Sequence, residues 1–200
     1  MVCASGPSFS EQQAALLNDR LALDVLGWRT VVTNTTFRRV PSADVLYFGD
    51  KPWWDVHHAE VQAVFKGECW TINRAVAHQA GLCHIEHSHE IGLSETFGRI
   101  HSGGNSGYAA LGLSYWFGAR QILLVGFDFQ DGAGGESHWH GDHPYPLEQG
   151  RPYVGWLQRL PKLTEDLQEQ GVSVINCTLA TAIPEAMVPR GDLEDCLCRS

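Results

Sequence analysis

Short apolar runs, each followed by a polar or glycine-rich turn, recur along the whole chain. The run at 122–125, Ile-Leu-Leu-Val, has the length and β-branched content of a strand buried on both faces, as in parallel sheets covered by helices. Similar runs predict further strands at 1–4, 30–33, 45–48, 69–72 and 172–177. Residues 82–85 form one more short apolar segment.

Segments with helical periodicity separate these strands. Apolar residues recur every three or four positions over 11–26 and 154–167, and Gly27 and Gly171 stand where each helix should end. Pro52 opens a predicted helix that runs to 65, and a helix rich in small residues covers 108–117. This alternation predicts an α/β fold: one doubly wound, mostly parallel, Rossmann-like sheet with helices on both faces.

We expect residues 1–200 to form a single α/β domain with two special segments. One is a histidine-rich active-site loop at 130–150, and the other is a C-terminal tail at 179–200. The stretch 88–106 is polar and rich in glycine, which predicts a long loop.

Composition narrows the classes of partner. The 200 residues carry a net charge of -9, so no basic field is expected to attract nucleic acid. The apolar runs are far shorter than the ~20 residues of a membrane span, and no basic segment followed by an apolar one opens the chain. We therefore expect a cytoplasmic protein. The six cysteines form no CxxC pair and are expected to be reduced thiols.

Polar residues follow the predicted strands at the edge of a parallel sheet where ligands bind. Asp128 comes just after the strand at 122–125. The tight turn after strand one precedes a helix, and backbone N–H groups exposed at a helix N-terminus favour a phosphate, although an ordinary strand-to-helix connection would select the same residues. That turn consists of Ser5, Gly6, Pro7 and Ser8.

Two more candidates stand at the ends of strands two and three. Asn34 and Asp50 suit recognition of a base and a ribose, or ordinary turn formation. The sequence at 103–107, Gly-Gly-Asn-Ser-Gly, precedes a helix, and Asn105 or Ser106 would cap it. Capping does not explain the glycines, so we interpret the loop, including Gly107, as a place where a ligand approaches the backbone.

The sequence at 138–143, His-Trp-His-Gly-Asp-His, matches the HxHxDH signature of the metallo-β-lactamase superfamily. The 57 residues after His143 contain no histidine, so the downstream ligands of a dinuclear hydrolase are missing. A mononuclear metal site and a solvated loop remain alternatives. The preferred hypothesis is that one of His138, His140 and His143 is a general base, because imidazole titrates near neutral pH.

A second histidine group has no convincing ligand spacing. We interpret these side chains as surface and loop-lining residues. They are His78, His84, His87 and His89.

Several motifs taken together resemble a known family. They are GPS after strand one, TN after strand two, GD after strand three, NSG at a helix start, ILLVGFDF, and a later SH…H loop. From residue 5 to 178 the chain resembles the bacterial CMP-sialic-acid-dependent sialyltransferases. It also resembles DUF115-like phage and bacterial proteins of glycosyltransferase type, a group that includes archaeal 6-hydroxymethylpterin diphosphokinases. The resemblance implies a glycosyltransferase-A-like variant of the fold.

The resemblance also implies roles for individual residues. The family's contacts to CMP fall on Gly6, Pro7, Ser8 and Asn34. Its serine beside the donor matches Ser106, and its histidine base matches His143, with His138 at a second family histidine. The family's tyrosines for the donor phosphate have no counterpart at 130–136, and we expect His138 and His140 to replace them as cations.

The expected activity is transfer of a glycosyl group from a nucleotide sugar, with a CMP-sugar favoured, to an unknown acceptor hydroxyl. The resemblance implies that no metal or other cofactor is required, and it is compatible with a phage-encoded protein and with a homo-oligomer. One alternative is a Mg²⁺-dependent pterin-type diphosphokinase that uses Asp50 and Asp128. Another is a protein that binds a nucleotide-like ligand without turnover.

Overall fold

A seven-stranded parallel sheet forms the centre of the molecule. The computed structural model describes residues 1–141, 143, 147 and 150–198, with only the backbone for 20–22. The strands are β1 (Val2–Cys3), β2 (Val31–Thr33), β3 (Val45–Phe48), β4 (Glu68–Thr71), β5 (Cys83–His84), β6 (Glu86–Ser88), β7 (Arg99–His101), β8 (Gln121–Val125) and β9 (Ser173–Asn176). Their order in the main sheet is β5-β4-β3-β2-β1-β8-β9, while β6 and β7 form a separate parallel pair.

Helices cover both faces of this sheet. They are α1 (Glu11–Asn18), α2 (Arg20–Val25), α3 (Lys51–Val64), α4 (Arg74–Ala80), α5 (Ser106–Trp116), α6 (Tyr153–Glu169) and α7 (Leu193–Cys198), with a 3₁₀ helix at Asn34–Arg38. Successive strand residues alternate between two cores: Val32 packs with side chains of α1 to α4 and α7, and Val31 packs with side chains of α5 and α6. The structure therefore confirms the predicted Rossmann-like α/β fold.

The strand order creates a switch point between β1 and β8. The chain builds outward from β1 to β5 on one side, and then returns to place β8 on the other side of β1. The connections after these two strands consequently leave in opposite directions, which opens a crevice at their carboxyl ends. Residues 4–6 and 126–128 meet there, because the N–H of Gly6 donates to the carbonyl of Gly126.

Two local predictions differ from the structure. The helix predicted at 11–26 is divided into α1 and α2, because the backbone leaves helical geometry at Asp19, with ψ of 78°. Next to this break, the Asn18 amide donates to the Arg39 carbonyl, a tertiary bond that periodicity does not reveal. The loop predicted at 88–106 contains β7, which pairs with β6.

The segment after β9 packs against the rest of the chain. Ile183, Val188, Leu193 and Leu197 are buried, and residues 176 and 190 form an isolated parallel bridge. Among the described helices, none combines the length and the apolar character that crossing a membrane requires.

Candidate functional site

A cavity of about 710 Å³ opens at the carboxyl edge of the sheet, at the switch point. It is lined by the ends of β1, β2, β3 and β8, the N-terminus of α5, part of the histidine loop and the start of α6. Most of the predicted site residues come together here: Ser5, Gly6, Asn34, Asp50, Ser106, Gly107, Asp128, His138 and His143. Pro7, Ser8 and His140 lie outside its lining.

The turn after β1 does not offer its backbone N–H groups to a ligand. The N–H of Ser8 donates to Oδ2 of Asp128 at 2.8 Å, and the N–H groups of Gly6 and Phe9 donate to backbone carbonyls. Ser10 caps α1 in a capping box with Gln13. Pro7 has no N–H, and the N–H of Ser10 donates to the side chain of Gln13. Every backbone N–H from residue 6 to residue 10 therefore has an acceptor within the protein. These bonds contradict the hypothesis that this turn cradles a phosphate: a carboxylate of the protein takes that position.

Asp128 carries a buried carboxyl group. Its residue is 2% exposed, its Oδ1 has no hydrogen-bond partner within the described structure, and burial raises its pKa to about 6 against the opposing effect of Ser8. Asp50 and Asp128 belong to no potential metal-binding group found among the described residues. No observation favours the diphosphokinase alternative.

Two residues in strained backbone conformations face the cavity. Asn34 and Phe129 have φ of 48° and 50°, and they are the non-glycine residues with positive φ in the described chain. Both line the cavity. Such conformations cost free energy and cluster at functional sites. This coincidence supports a role for the cavity beyond packing.

A polar cluster joins the end of β2 to the start of α5. The Asn34 amide donates to Oγ of Ser106 at 3.2 Å, and Asn105, not Ser106, caps α5 by accepting from the Tyr108 N–H at 2.8 Å. Buried Oδ1 of Asn34 and Nδ2 of Asn105 have no partner among the described atoms. The cluster thus presents one unused acceptor and one unused donor.

The glycines before α5 have structural explanations. Gly103 and Gly104 have positive φ, and a Cβ on Gly103 would lie 2.2 Å from the Tyr108 ring. A Cβ on Gly107 would lie 2.8 Å from the ring of Phe127. Backbone conformation and packing therefore account for the glycine content, so these glycines do not in themselves indicate that a ligand approaches the backbone here.

The histidine loop brings three imidazoles together beside the cavity. The ring centroids of His138, His140 and His143 are 4.7 to 5.0 Å apart, and one nitrogen from each lies within 4.8 Å of the others. Ser5 anchors this loop twice: its Oγ is 2.9 Å from Nδ1 of His138, and its carbonyl accepts from the N–H of Trp139. Asp142 of the HxHxDH motif lies outside the described residues.

The prediction that His140 acts as a cation is wrong. Burial, followed by the neighbouring His138 and His143, lowers the pKa of His140 to about 3, so its ring is neutral at physiological pH. His140 lines a second, smaller cavity of about 280 Å³ together with His143 and His57 of α3. Sequence reasoning missed His57, which no motif marks.

Aromatic side chains form much of the main cavity wall and were also missed. Tyr153 comes from the first turn of α6, and its hydroxyl donates to Asp131 at 2.8 Å. A tyrosine therefore does reach the site, although none occurs at 130–136. The aromatic lining comprises Tyr47, Trp53, Phe127, Phe129, Tyr153 and Trp156.

The second histidine group is spread over several elements. His78 is exposed on α4, and Nδ1 of His84 lies 3.8 Å from Glu86. His87 and His89 have ring centroids 5.4 Å apart, and His89 lines the main cavity. One member of the group therefore belongs to the site.

The fold and the site define a Rossmann-like α/β protein with a ligand-sized cavity at its topological switch point. Comparison of the chain with protein-family models, with curated proteins and with solved structures finds no match in any of the three.

Proposed function

We propose that the protein is a transferase that takes a nucleotide-sugar donor and passes the glycosyl group to an acceptor hydroxyl. The observation that carries the proposal is the meeting, in one cavity, of a polar helix N-terminus at α5 and an imidazole cluster. One end suits an anionic donor, and the other suits removal of a proton from the acceptor.

The donor phosphate lies at the start of α5 in this proposal. The N–H groups of Ser106 and Gly107 open the helix, and no acceptor for them is found in the described part of the chain. Helix N-termini favour anions through such N–H groups and through the helix dipole. The Ser106 hydroxyl and the Asn34 amide add polar groups at the same place.

The aromatic wall suits the rest of the donor. The partly exposed rings of Phe129, Tyr153 and Trp156 offer flat apolar surfaces on which a base or a sugar ring stacks. A cavity of about 710 Å³ lies within the usual range for small-molecule sites.

The transfer itself is a direct displacement. The acceptor oxygen forms a bond to the anomeric carbon while the bond from that carbon to the phosphate oxygen breaks, and the acceptor proton passes to an imidazole. His143 and His138 line the main cavity and His140 does not, so the base is one of the first two, with His143 as our assignment. The departing nucleotide keeps the electron pair of the broken bond.

Thermal unfolding in the presence of CMP-, UDP-, GDP- and ADP-sugars tests this proposal. A ligand that binds only the native state adds about 2.7 kcal/mol at a hundredfold excess over its dissociation constant. We expect one class of nucleotide sugar, with CMP-sugars first, to raise Tm, and the free sugar to have no effect.

Ser106→Ala supplies the matched variant, because alanine is tolerated at the first position of a helix and only the hydroxyl is lost. The shift in Tm should shrink in Ser106→Ala and persist in Ser173→Ala, whose serine is exposed on β9. If no nucleotide sugar shifts Tm, the proposed donor class is wrong.

A further inference from the structure

The three imidazoles of the histidine loop have the geometry of a metal site. One nitrogen of each ring lies within 4.8 Å of the other two. Metal–nitrogen bonds of about 2.0 to 2.1 Å place the ligand nitrogens of a tetrahedral Zn²⁺ site roughly 3.4 Å apart. Small rotations of the three rings would therefore bring the cluster to ligand geometry.

Two further features of the cluster match those of known metal sites. The first is the bond between Nδ1 of His138 and Oγ of Ser5, at 2.9 Å. Metal-binding histidines characteristically use the second ring nitrogen to hold an outer hydrogen-bond partner, which fixes the orientation of the ring. The bond to Ser5 thus fixes the orientation of the His138 ring within the cluster.

The second feature is a ring nitrogen without a partner. Nε2 of His140 is buried and has no hydrogen-bond partner among the described atoms. Leaving a buried polar atom unpaired destabilises the folded state. A metal ion at this nitrogen would remove that destabilisation.

We propose that His138, His140 and His143 bind one divalent transition metal ion, with Zn²⁺ as the preferred ion, beside the main cavity. Neutral imidazoles are ligands that Zn²⁺ favours, and three of them leave a fourth position open for water or a substrate oxygen. Because His138 and His143 also line the main cavity, we place that open position on its side.

The described residues of the cavity lining provide little positive charge for an anionic ligand. Among the described lining residues, Arg151 is the one arginine or lysine, and its guanidinium is paired with Asp131 at 2.9 Å. The lining also includes the carboxyl groups of Asp50 and Asp128. An anionic ligand would therefore gain from a metal that supplies positive charge which the described side chains do not.

The metal site rests on side-chain geometry and not on the proposed transferase activity, but it changes one step of that activity. A His143 nitrogen bound to the metal has no lone pair to accept a proton. With the metal held by the three imidazoles, His143 would act as a ligand, and a metal-bound hydroxide would supply the base that takes the acceptor proton, since Zn²⁺ lowers the pKa of its bound water to about 7.

The test is a titration of the full chain, stripped of metal with a chelator and dialysed, with Zn²⁺ and with Co²⁺. We expect one equivalent of metal per chain and, with Co²⁺, the intense visible absorption of a tetrahedral site. His140→Ala should lower the affinity at least tenfold. The control is His78→Ala, which removes an exposed imidazole on α4 and should bind like the wild type.

The outcomes separate the two proposals. The metal site would be overturned if the wild type bound no stoichiometric metal. It would also be overturned if His140→Ala, His138→Ala and His143→Ala all bound metal as tightly as the wild type. Far-ultraviolet circular dichroism confirms that each variant is folded. Metal binding without any nucleotide-sugar shift in Tm would leave the metal site standing and remove the transferase. A rise in Tm with a nucleotide sugar, in a chain that binds no metal, would support the transferase and remove the metal site.

Discussion

The backbone N–H of Ser8 donates to Oδ2 of Asp128 across the switch point, at 2.8 Å. The Asp128 carboxylate, just after β8, thereby occupies the turn after β1, where an anionic ligand would otherwise bind. The same turn brings Gly6 so close to Asp128 that a Cβ on Gly6 would lie 1.9 Å from Oδ1. This contact makes the floor of the cavity a packed unit, and it predicts how substitutions there will behave.

Gly6→Ala should destabilise the protein. Its Cβ would overlap the Asp128 carboxylate and lie 2.5 Å from the carbonyl of Gly126, so side chain and backbone must both shift. Overpacking of this kind costs about 1 to 3 kcal/mol. Urea unfolding at neutral pH measures the free energy difference directly.

Gly155→Ala is the matched control. Gly155 lies in α6, and a Cβ there would meet no atom within 4 Å. Replacing a helical glycine by alanine stabilises a helix by up to about 1 kcal/mol. A Gly6→Ala protein as stable as Gly155→Ala would show that the turn is not packed against Asp128.

Asp128 should make stability depend on pH. Its pKa of about 6 in the folded chain lies above the ordinary 3.8, so the folded state holds the proton more tightly than the unfolded state. The protonated carboxyl therefore favours folding at low pH, and this contribution is lost as the pH rises from about 4 to about 6. Asp128→Asn has no titrating group at this position.

Urea unfolding of the wild type and Asp128→Asn at a series of pH values from 4 to 7 checks this prediction. The stability of the wild type relative to the variant should fall through that window and then level off. The Asp131 carboxylate and the Tyr153 hydroxyl lie nearby in both proteins. Their contributions to the free energy of unfolding therefore cancel when the variant is subtracted from the wild type. A constant difference would mean that Asp128 titrates normally.

The sequence predicts the centre of the sheet well because the central strands β1, β2, β3 and β8 are buried on both faces. The residues of β3, Val45–Phe48, are all apolar and all buried, so a continuous apolar run was a sufficient signal. β7 was missed because Arg99 and His101 are polar and, among the described strands, β7 pairs with β6 alone. Helical periodicity likewise continues through Asp19, where a tertiary bond of Asn18 accompanies the break.

The site was predictable in position but not in chemistry. Polar residues at strand ends gave Asn34 and Asp128, since parallel strands end at one edge of the sheet. Sequence does not show that Asp128 occupies the turn at Ser8, because that contact joins residues 120 positions apart. The clustering of the histidine rings depends equally on the anchoring of their loop by Ser5.

Asn34→Gly should weaken donor binding without harming the fold. Glycine adopts a φ of 48° without strain, so the substitution removes the amide and its bond to Ser106 while relieving the backbone. We expect a smaller nucleotide-sugar shift in Tm, and a Tm without ligand that is equal to or above that of the wild type. Undiminished donor affinity would place the donor away from this cluster.

His143→Ala should lower turnover by roughly 10²–10⁴-fold, the usual contribution of a group that removes a proton. If His143 acts directly as the base, donor affinity should change little, because the donor phosphate is placed at α5; if His143 acts as a metal ligand, both turnover and donor affinity should fall. Single-turnover rates and donor titrations separate the two effects, with the exposed His58→Ala as a control from α3. Full turnover in His143→Ala together with its loss in His138→Ala would move the base to His138.

Ser5→Ala tests how the metal site is held. The Ser5 hydroxyl bonds Nδ1 of His138, and removing such an outer partner typically weakens metal affinity 10- to 100-fold while leaving the ligands in place. The titration with Co²⁺ should still reach one equivalent per chain, but at higher free metal, and the exposed Ser173→Ala should match the wild type. If Ser5→Ala binds metal as tightly as the wild type, His138 is oriented by other contacts and Ser5 only anchors the loop through its carbonyl bond to Trp139.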